Sequence, residues 1–437
     1  MHQATSLLTD RYELTMLDAA LKAGTHDREC VFECFARRLP TGRRFGVVAG
    51  TGRLLELIRD FRFGDDELEY LRSERVVGEE ALAWLADYRF RGRITGYREG
   101  EVYFPGSPLL TIEAPFADGV ILETLVLSVL NYDSAVASAA ARMVQVAGGR
   151  PLAEMGSRRT GERSAVAAAR AAYVAGFSAT SNLEAGRTWG VPTMGTAAHS
   201  FTLLHDTEEQ AFQAQVAALG AGTTLLVDTY DVGEGVETAV RVAGTGLGAV
   251  RLDSGDLPVL VGEVRAQLDA LGATGTRITD TNDLDEHGIA GLAASPVDSY
   301  GVGTSLVTGS GASAAGMVFK LVAHRDAGGQ GEWVPVAKRS TGKQSRGGLK
   351  GALRRHDAQG TATAELVTVG PHPEPLPGDR DLLVTLAEDG QPDARWMGRA
   401  GTSAAREHHA RVVRDLPVQA FRLRAGDPAL PTEQGSV

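Results

Sequence analysis

From Pro151 onward the chain repeats one unit: a short apolar run, a polar turn, then a helical stretch. Strand-like runs occur at 151–155, 191–194, 223–227, 248–252, 276–279 and 297–300. Helical patterns lie between them at 163–175, 207–219, 233–243, 257–271 and 284–293. A helix between successive strands returns the chain to the same end of the sheet, so the strands must run parallel. After each strand come, in order, GSRR, GTAAHS, DTYD, DSGD, DTND and GVGTSLVTGSG. Every one of these ends is polar, acidic or glycine-rich. In a sheet that curls into a barrel, such ends converge on one mouth, where barrel enzymes keep their chemistry.

The rest of the chain reads differently. Thr9 or Asp10 caps an amphipathic helix running through Ala23, with Tyr12 in its first turn. Residues 29–120 mix short strands and helices, with ECVFECFARRLP as a strand and GRITGYREGEVYFPGSPLLTIEAP as strands broken by Gly and Pro. That is an α+β unit. An apolar helical pattern from Leu122 to Val146 leads into the repeats. After Gly316, AAGMVFKLVAH and EWVPVAKRS read as paired strands, followed by the Gly/Lys/Arg loop TGKQSRGGLKGALRR and a Pro/Gly-rich tail expected to be flexible.

Composition narrows the classes. At 437 residues, two or three structural units are expected. A formal charge of −11 disfavours nucleic acid and anionic membranes as partners. An acidic chain that binds an anion must concentrate its cations, and Arg158, Arg159 and Arg251 are the candidates. The two cysteines, Cys30 and Cys34, supply neither a zinc site nor a disulfide framework. Their spacing puts both on one face of a strand, as reduced thiols. The start has no basic-then-apolar signal, and Gly119–Val146 is interrupted by Glu123, Asn131, Asp133 and Arg142. The expected location is cytoplasmic.

The stretch Glu154–Phe201 carries the sharpest motifs. An alanine-rich helix from about Arg163 to Ala175 closes at Gly176, and Ser181 or Asn182 caps a second helix that Gly190 ends. His199 then follows in a loop at a strand end, while His205 starts the next helix, which Asp206 caps with Glu209 in a capping box. GSRR, GFSATSN and GTAAHSF, in this order and spacing, resemble the core of the nicotinate phosphoribosyltransferase family. TDRYELTM, FPGSPLLTIEAP, GMVFKLV and the lysine-bearing loop extend the likeness over nearly the whole chain. Two departures from the family pattern are GGLKG, where a proline-glycine pair is more usual, and Ser157 inside the GxRR turn.

The resemblance implies an α/β fold: an irregular TIM-like α/β barrel plus an α+β domain built from both ends of the chain. The corresponding domains are 1–125, 126–315 and 316–437. It implies transfer of a phosphoribosyl group from 5-phosphoribosyl 1-diphosphate to nicotinate, coupled to ATP through a phosphohistidine at His199. Tyr12 would stack on the pyridine ring across a homodimer interface. The residues themselves add detail. A histidine nucleophile needs a partner on its other nitrogen, and Asp228 or Asp253 can supply one. Arg251 suits the nicotinate carboxylate or a phosphate, and Arg158 the diphosphate. Gly301, Gly303 and Thr304 form a phosphate loop. Ser181 and Thr196 are further substrate contacts, and Asp253 with Asp256 suits Mg²⁺.

Rival readings are weaker. The nicotinamide-using sister enzyme is the nearest, and a non-catalytic barrel with a phosphate-sized site is the plainest. A Schiff-base barrel is disfavoured because no lysine lies between Lys22 and Lys320. GTGLGA at Gly244–Ala249 follows a helix and precedes a strand, the reverse of a dinucleotide site. Gly156–Glu162 has P-loop glycine spacing but glutamate in the lysine position.

Overall fold

A computed structural model describes residues 5–326, 331–338 and 345–435, so the TGKQ part of the basic loop lies outside the described residues. The chain divides into two compact units, one formed by Met1–Ser138 with Ala312–Val437, the other by Ala139–Gly311.

The first unit is built on an antiparallel seven-stranded sheet, in the order Val334–Pro335, Met317–His324, Glu29–Ala36, Leu110–Pro115, Arg93–Tyr97, Leu383–Glu388 and Gln391–Pro392. Glu29–Ala36 is buried along almost its whole length, which explains a strand without polar alternation. Its Phe32 stacks on Phe319 of the returning chain at 5.3 Å. Cys30 and Cys34 are both buried and free on this strand. The helix Arg11–Ala23 has Asp10 at its N-cap and Gly24 in the left-handed region at its end. A second sheet orders Arg380–Asp381, Lys350–His356, Ala362–Val369 and Thr432–Gly435. The last of these corrects the expectation of a flexible tail. Thr432–Gly435 pairs in parallel with Glu365–Thr368, so backbone hydrogen bonding fixes it despite its polar composition.

Glu123–Val146 is a single helix, and the apolar stretch Phe116–Val146 is long and apolar enough to cross a bilayer. Its apolar window is mostly buried inside the protein, however. Asp133, at its centre, is bound at 2.8 Å by Arg53. It is a core helix.

The second unit is a six-stranded parallel sheet in the order Ala179–Thr180, Leu152–Glu154, Ser299–Val302, Arg277–Asp280, Ala249–Leu252 and Thr224–Leu226. Helices Glu162–Val174, Glu208–Leu219, Val232–Ala243 and Leu257–Ala270 match the sequence pattern to within one or two residues, and 284–293 shortens to Glu286–Gly291. Among the described residues no pairing joins Thr224–Leu226 to Ala179–Thr180, so the fold is a mixed α/β protein with a curled parallel sheet forming part of a barrel.

Two local expectations need correcting. The run 191–194 is not a strand; it touches the sheet only through a bridge from Thr193 to Thr180. The true strand is Ala179–Thr180, two residues long and therefore too short to show any alternation. The helix after His205 is capped by Thr207, whose hydroxyl accepts from Gln210 N, and not by Asp206. By contrast, Asn182 caps Leu183–Trp189, and Gly190 closes it in the left-handed region.

Candidate active site

Inward-facing positions of a barrel strand usually carry bulky side chains that fill the interior. Here several are Ala153, Ala179, Ala249 and Gly301, and the interior stays open as a cavity of about 660 Å³. That volume suits a nucleotide-sized ligand. Gly301 is required by its neighbours: a Cβ there would lie 2.7 Å from Thr281 and 2.8 Å from the Met155 sulfur. At Gly156 a Cβ would fall 2.2 Å from Val307 and 3.0 Å from the Gly303 carbonyl, so the GSRR turn packs directly on the late glycine loop.

Ten of the residues expected from sequence line this cavity: Arg158, Arg159, Ser181, Thr196, His199, Arg251, Asp253, Gly301, Gly303 and Thr304. Arg158 sits in the single turn Ser157–Arg159 after the first strand, and Thr304 opens the short helix that follows Gly303. Arg251, inward on its strand, donates to the Ala197 carbonyl at 3.2 Å and so pins the loop that leads to His199. Its Nε–H is buried without an acceptor. Burial lowers its guanidinium pKa, Asp253 and Asp228 oppose that, and the like charge of Arg158 adds to it. An anion entering here would relieve both arginines.

His199 is the first residue of the helix His199–Leu203 and not part of a loop, since Gly195–Ala198 already complete the turn. Its ring is oriented differently from expectation. Nδ1 lies 3.1 Å from the Thr229 hydroxyl. Both carboxylates instead approach Nε2, Asp228 at 3.7 Å and Asp253 at 3.9 Å. Asp228 is buried behind the cavity wall, where one oxygen accepts from Asp253 N and Ser254 Oγ, each at 2.8 Å. Its other oxygen has no hydrogen-bond partner. Asp253 also accepts from Thr281 at 2.8 Å. The two carboxylates thus form a fixed negative wall beside one histidine nitrogen.

Two other acidic residues at strand ends go elsewhere. Asp231 caps Val232–Ala243. Asp256 occupies an N-cap position and does not line the cavity. Among the described residues no group of three or more His, Cys, Asp or Glu is placed to hold a metal. Nearby, burial and the charges of Glu234, Asp228 and Asp231 push Glu208 up to about 7. Tyr12 belongs to the other unit, where it is 45% exposed. Burial and the charges of Glu123, Glu13 and Asp10 push its phenol up to about 12, so the ring stays neutral.

Sequence reasoning missed the groups that hold these arms together. Glu154 is fully buried and accepts from Thr180 Oγ1 at 2.5 Å and from Gly156 N. Asn182, besides capping its helix, donates to Ser157 Oγ at 2.9 Å. Met194 N bonds to the Thr180 carbonyl at 2.9 Å, which ties the run before Gly195 to the same strand. One signal was available: Glu154 is a charge inside an otherwise apolar run, and a buried charge needs partners.

Comparison with known proteins gives a consistent result. The family model for the nicotinate phosphoribosyltransferase (NAPRTase) N-terminal domain matches residues 7–131. Nicotinate phosphoribosyltransferase pncB1 of Mycobacterium tuberculosis is 57% identical over 435 residues, covering 98% of this chain and 94% of that one. The nicotinate phosphoribosyltransferase of Bacillus subtilis is 37% identical over 74% of this chain and 68% of its own. The crystal structure of human nicotinic acid phosphoribosyltransferase superposes with a TM-score of 0.81 at 27% identity, covering 98% of this chain and 97% of that one.

Proposed function

Because this chain belongs to the nicotinate phosphoribosyltransferase family, we propose that it forms nicotinate mononucleotide and diphosphate from nicotinate and 5-phosphoribosyl 1-diphosphate. This is the first step of NAD salvage from nicotinate, the Preiss–Handler pathway. The observation that carries the reading is the convergence of Arg158, Arg251, Asp253, His199 and Thr304 on one cavity.

The chemistry is displacement at the anomeric carbon. The pyridine nitrogen forms the new C–N bond, the C–O bond to diphosphate breaks, and its electron pair leaves with the diphosphate. Negative charge grows on that leaving group, so Arg158 stabilises the transition state more than the ground state. Arg251 faces the nicotinate carboxylate with an unpaired buried Nε–H, a donor that nicotinamide, with no anionic group, satisfies less well. Ser181 and Thr196 line the same cavity and offer hydroxyls to substrate. Gly301, Gly303 and Thr304 take the 5′-phosphate.

ATP enters through His199. The ring nitrogen attacks the terminal phosphorus, a P–N bond forms and ADP leaves. The Thr229 hydroxyl holds Nδ1, which leaves Nε2 as the attacking nitrogen. Asp228 and Asp253 then stabilise the positive charge that develops on the ring. Asp253, which lines the cavity, would hold Mg²⁺ together with the substrate phosphates. The ion would supply charge neutralisation of the diphosphate. Asp256 does not belong to that set. We read the curled sheet as the irregular α/β barrel of this class, the enzyme as cytoplasmic, and the active form as a homodimer in which Tyr12 stacks on the partner's nicotinate.

The test is mononucleotide formation with and without ATP in the parent protein and in His199→Ala. ATP acceleration that disappears in the variant, with basal transfer retained, supports the coupling. An equal ATP effect in both proteins refutes it.

A further inference from the structure

A second cavity, of about 550 Å³, lies within the unit formed by residues 1–138 and 312–437. It is walled by the turn after Arg93–Tyr97, the short strand Arg380–Asp381 and the C-terminal end of the helix Gly398–Val412. Four arginines line it: Arg98, Arg380, Arg411 and Arg414. A cationic cluster runs against the −11 charge of the chain.

The buried carboxylate in the wall pairs directly with only one of them, Arg380. Glu101 is 1% exposed and is already engaged by Arg380, by His408 at 2.8 Å and by Arg354 at 3.8 Å. Burial alone would raise its carboxyl, yet these three partners hold it well below the usual range. Asp381 accepts from Leu383 N and lies 3.5 Å from His372, and Asp415 lies 3.7 Å from His356. Among the described residues, Arg98, Arg411 and Arg414 make no ion pair.

Two donors are left over. The Nε–H groups of Arg98 and Arg380 are shielded from solvent and have no acceptor. Desolvated donors of this kind are costly unless something binds them. Burial, with the like charge of Arg411, lowers the Arg98 guanidinium pKa. The floor is aliphatic, with Leu382 and Val412 both buried.

We propose that this cleft binds a small phosphate-bearing anion, independently of the cavity in the 139–311 unit. A phosphate presents three or more charged oxygens in a tetrahedron and can accept from several guanidinium groups at once, whereas a carboxylate has two oxygens in a plane. Free phosphate and the phosphate of a mononucleotide share this chemistry.

The test is isothermal titration of the full-length protein and of the double variant Arg411→Gln, Arg414→Gln, first with inorganic phosphate and then with AMP. Both side chains are exposed, so the variant should keep its melting temperature in phosphate-free buffer and its rate of phosphoribosyl transfer. The expected result is a phosphate site in the parent protein that weakens by roughly tenfold or more in the variant. Tighter binding of AMP than of phosphate would identify the occupant as a nucleotide, and equal binding as the free anion. Equal phosphate affinity and stoichiometry in both proteins would overturn the proposal, as would a parent protein that binds no phosphate outside the first cavity. The readout is binding, so it stands even if nicotinate is not the substrate.

Discussion

Asp280 should be a carboxylate that the fold tolerates for its site, at a cost in stability. It ends the strand Arg277–Asp280 and is fully buried. One oxygen accepts from Asn282 N at 3.2 Å, and the other has no partner. Burial, with the nearby charge of Asp253, pushes it from 3.8 up to about 6. A folded-state pKa above the unfolded value means that the folded protein binds more protons, so stability falls as pH rises between the two values. The full penalty is about 3 kcal/mol above pH 7, reduced to about 1 kcal/mol near pH 4.5. Asp280→Asn keeps an acceptor for Asn282 N and removes the charge. The variant should therefore gain about 2 kcal/mol more, relative to the parent, at pH 8 than at pH 4.5. Denaturant unfolding of both proteins at the two pH values measures this. A gain that does not grow with pH would refute the reasoning. The same variant should transfer phosphoribose more slowly, because Thr281, Asn282 and Asp283 line the cavity just beyond this residue.

Three further outcomes follow from the geometry. Arg251→Gln should raise the KM for nicotinate by about tenfold to a hundredfold, the cost of one charge-assisted contact, with a smaller effect on nicotinamide; steady-state kinetics on both bases checks it. Gly301→Ala should lower stability by about 1–3 kcal/mol, because its Cβ would press into Thr281 Cγ2 and the Met155 sulfur and force both side chains to shift; a melting curve suffices. Cys30 and Cys34 should resist a thiol reagent in the native protein and both react on unfolding. Burial pushes the Cys30 thiol up to about 12 and the Cys34 thiol higher still, and each is shielded from solvent.

What could be read from the sequence follows from the length scale of each signal. Helices such as Leu257–Ala270 span several turns, and their apolar period survives whatever surrounds them. The polar ends of the strands were legible because each interrupts an apolar run at a definite point. Ala179–Thr180 was not, since two residues carry no period, and the more apolar run at 191–194 took its place. The side chains of the site were found by type, but their partners were not. Nothing local distinguishes Thr229 as the contact for His199, or Glu154 as the clamp between Gly156 and Thr180. Those pairings depend on how neighbouring strand ends meet, as in Asp228, which receives the Asp253 N–H from 25 residues away. Asp256 illustrates the converse error. It shares the DSGD turn with Asp253, yet the chain has by then turned into the N-cap of a helix.

The most direct test of the central claim is mononucleotide formation from nicotinate and from nicotinamide, measured side by side with 5-phosphoribosyl 1-diphosphate, Mg²⁺ and ATP. The account predicts nicotinate mononucleotide as the product and little or none from nicotinamide, because the half-buried Arg251 guanidinium binds a carboxylate better than a neutral amide. Equal or greater product from nicotinamide would contradict it.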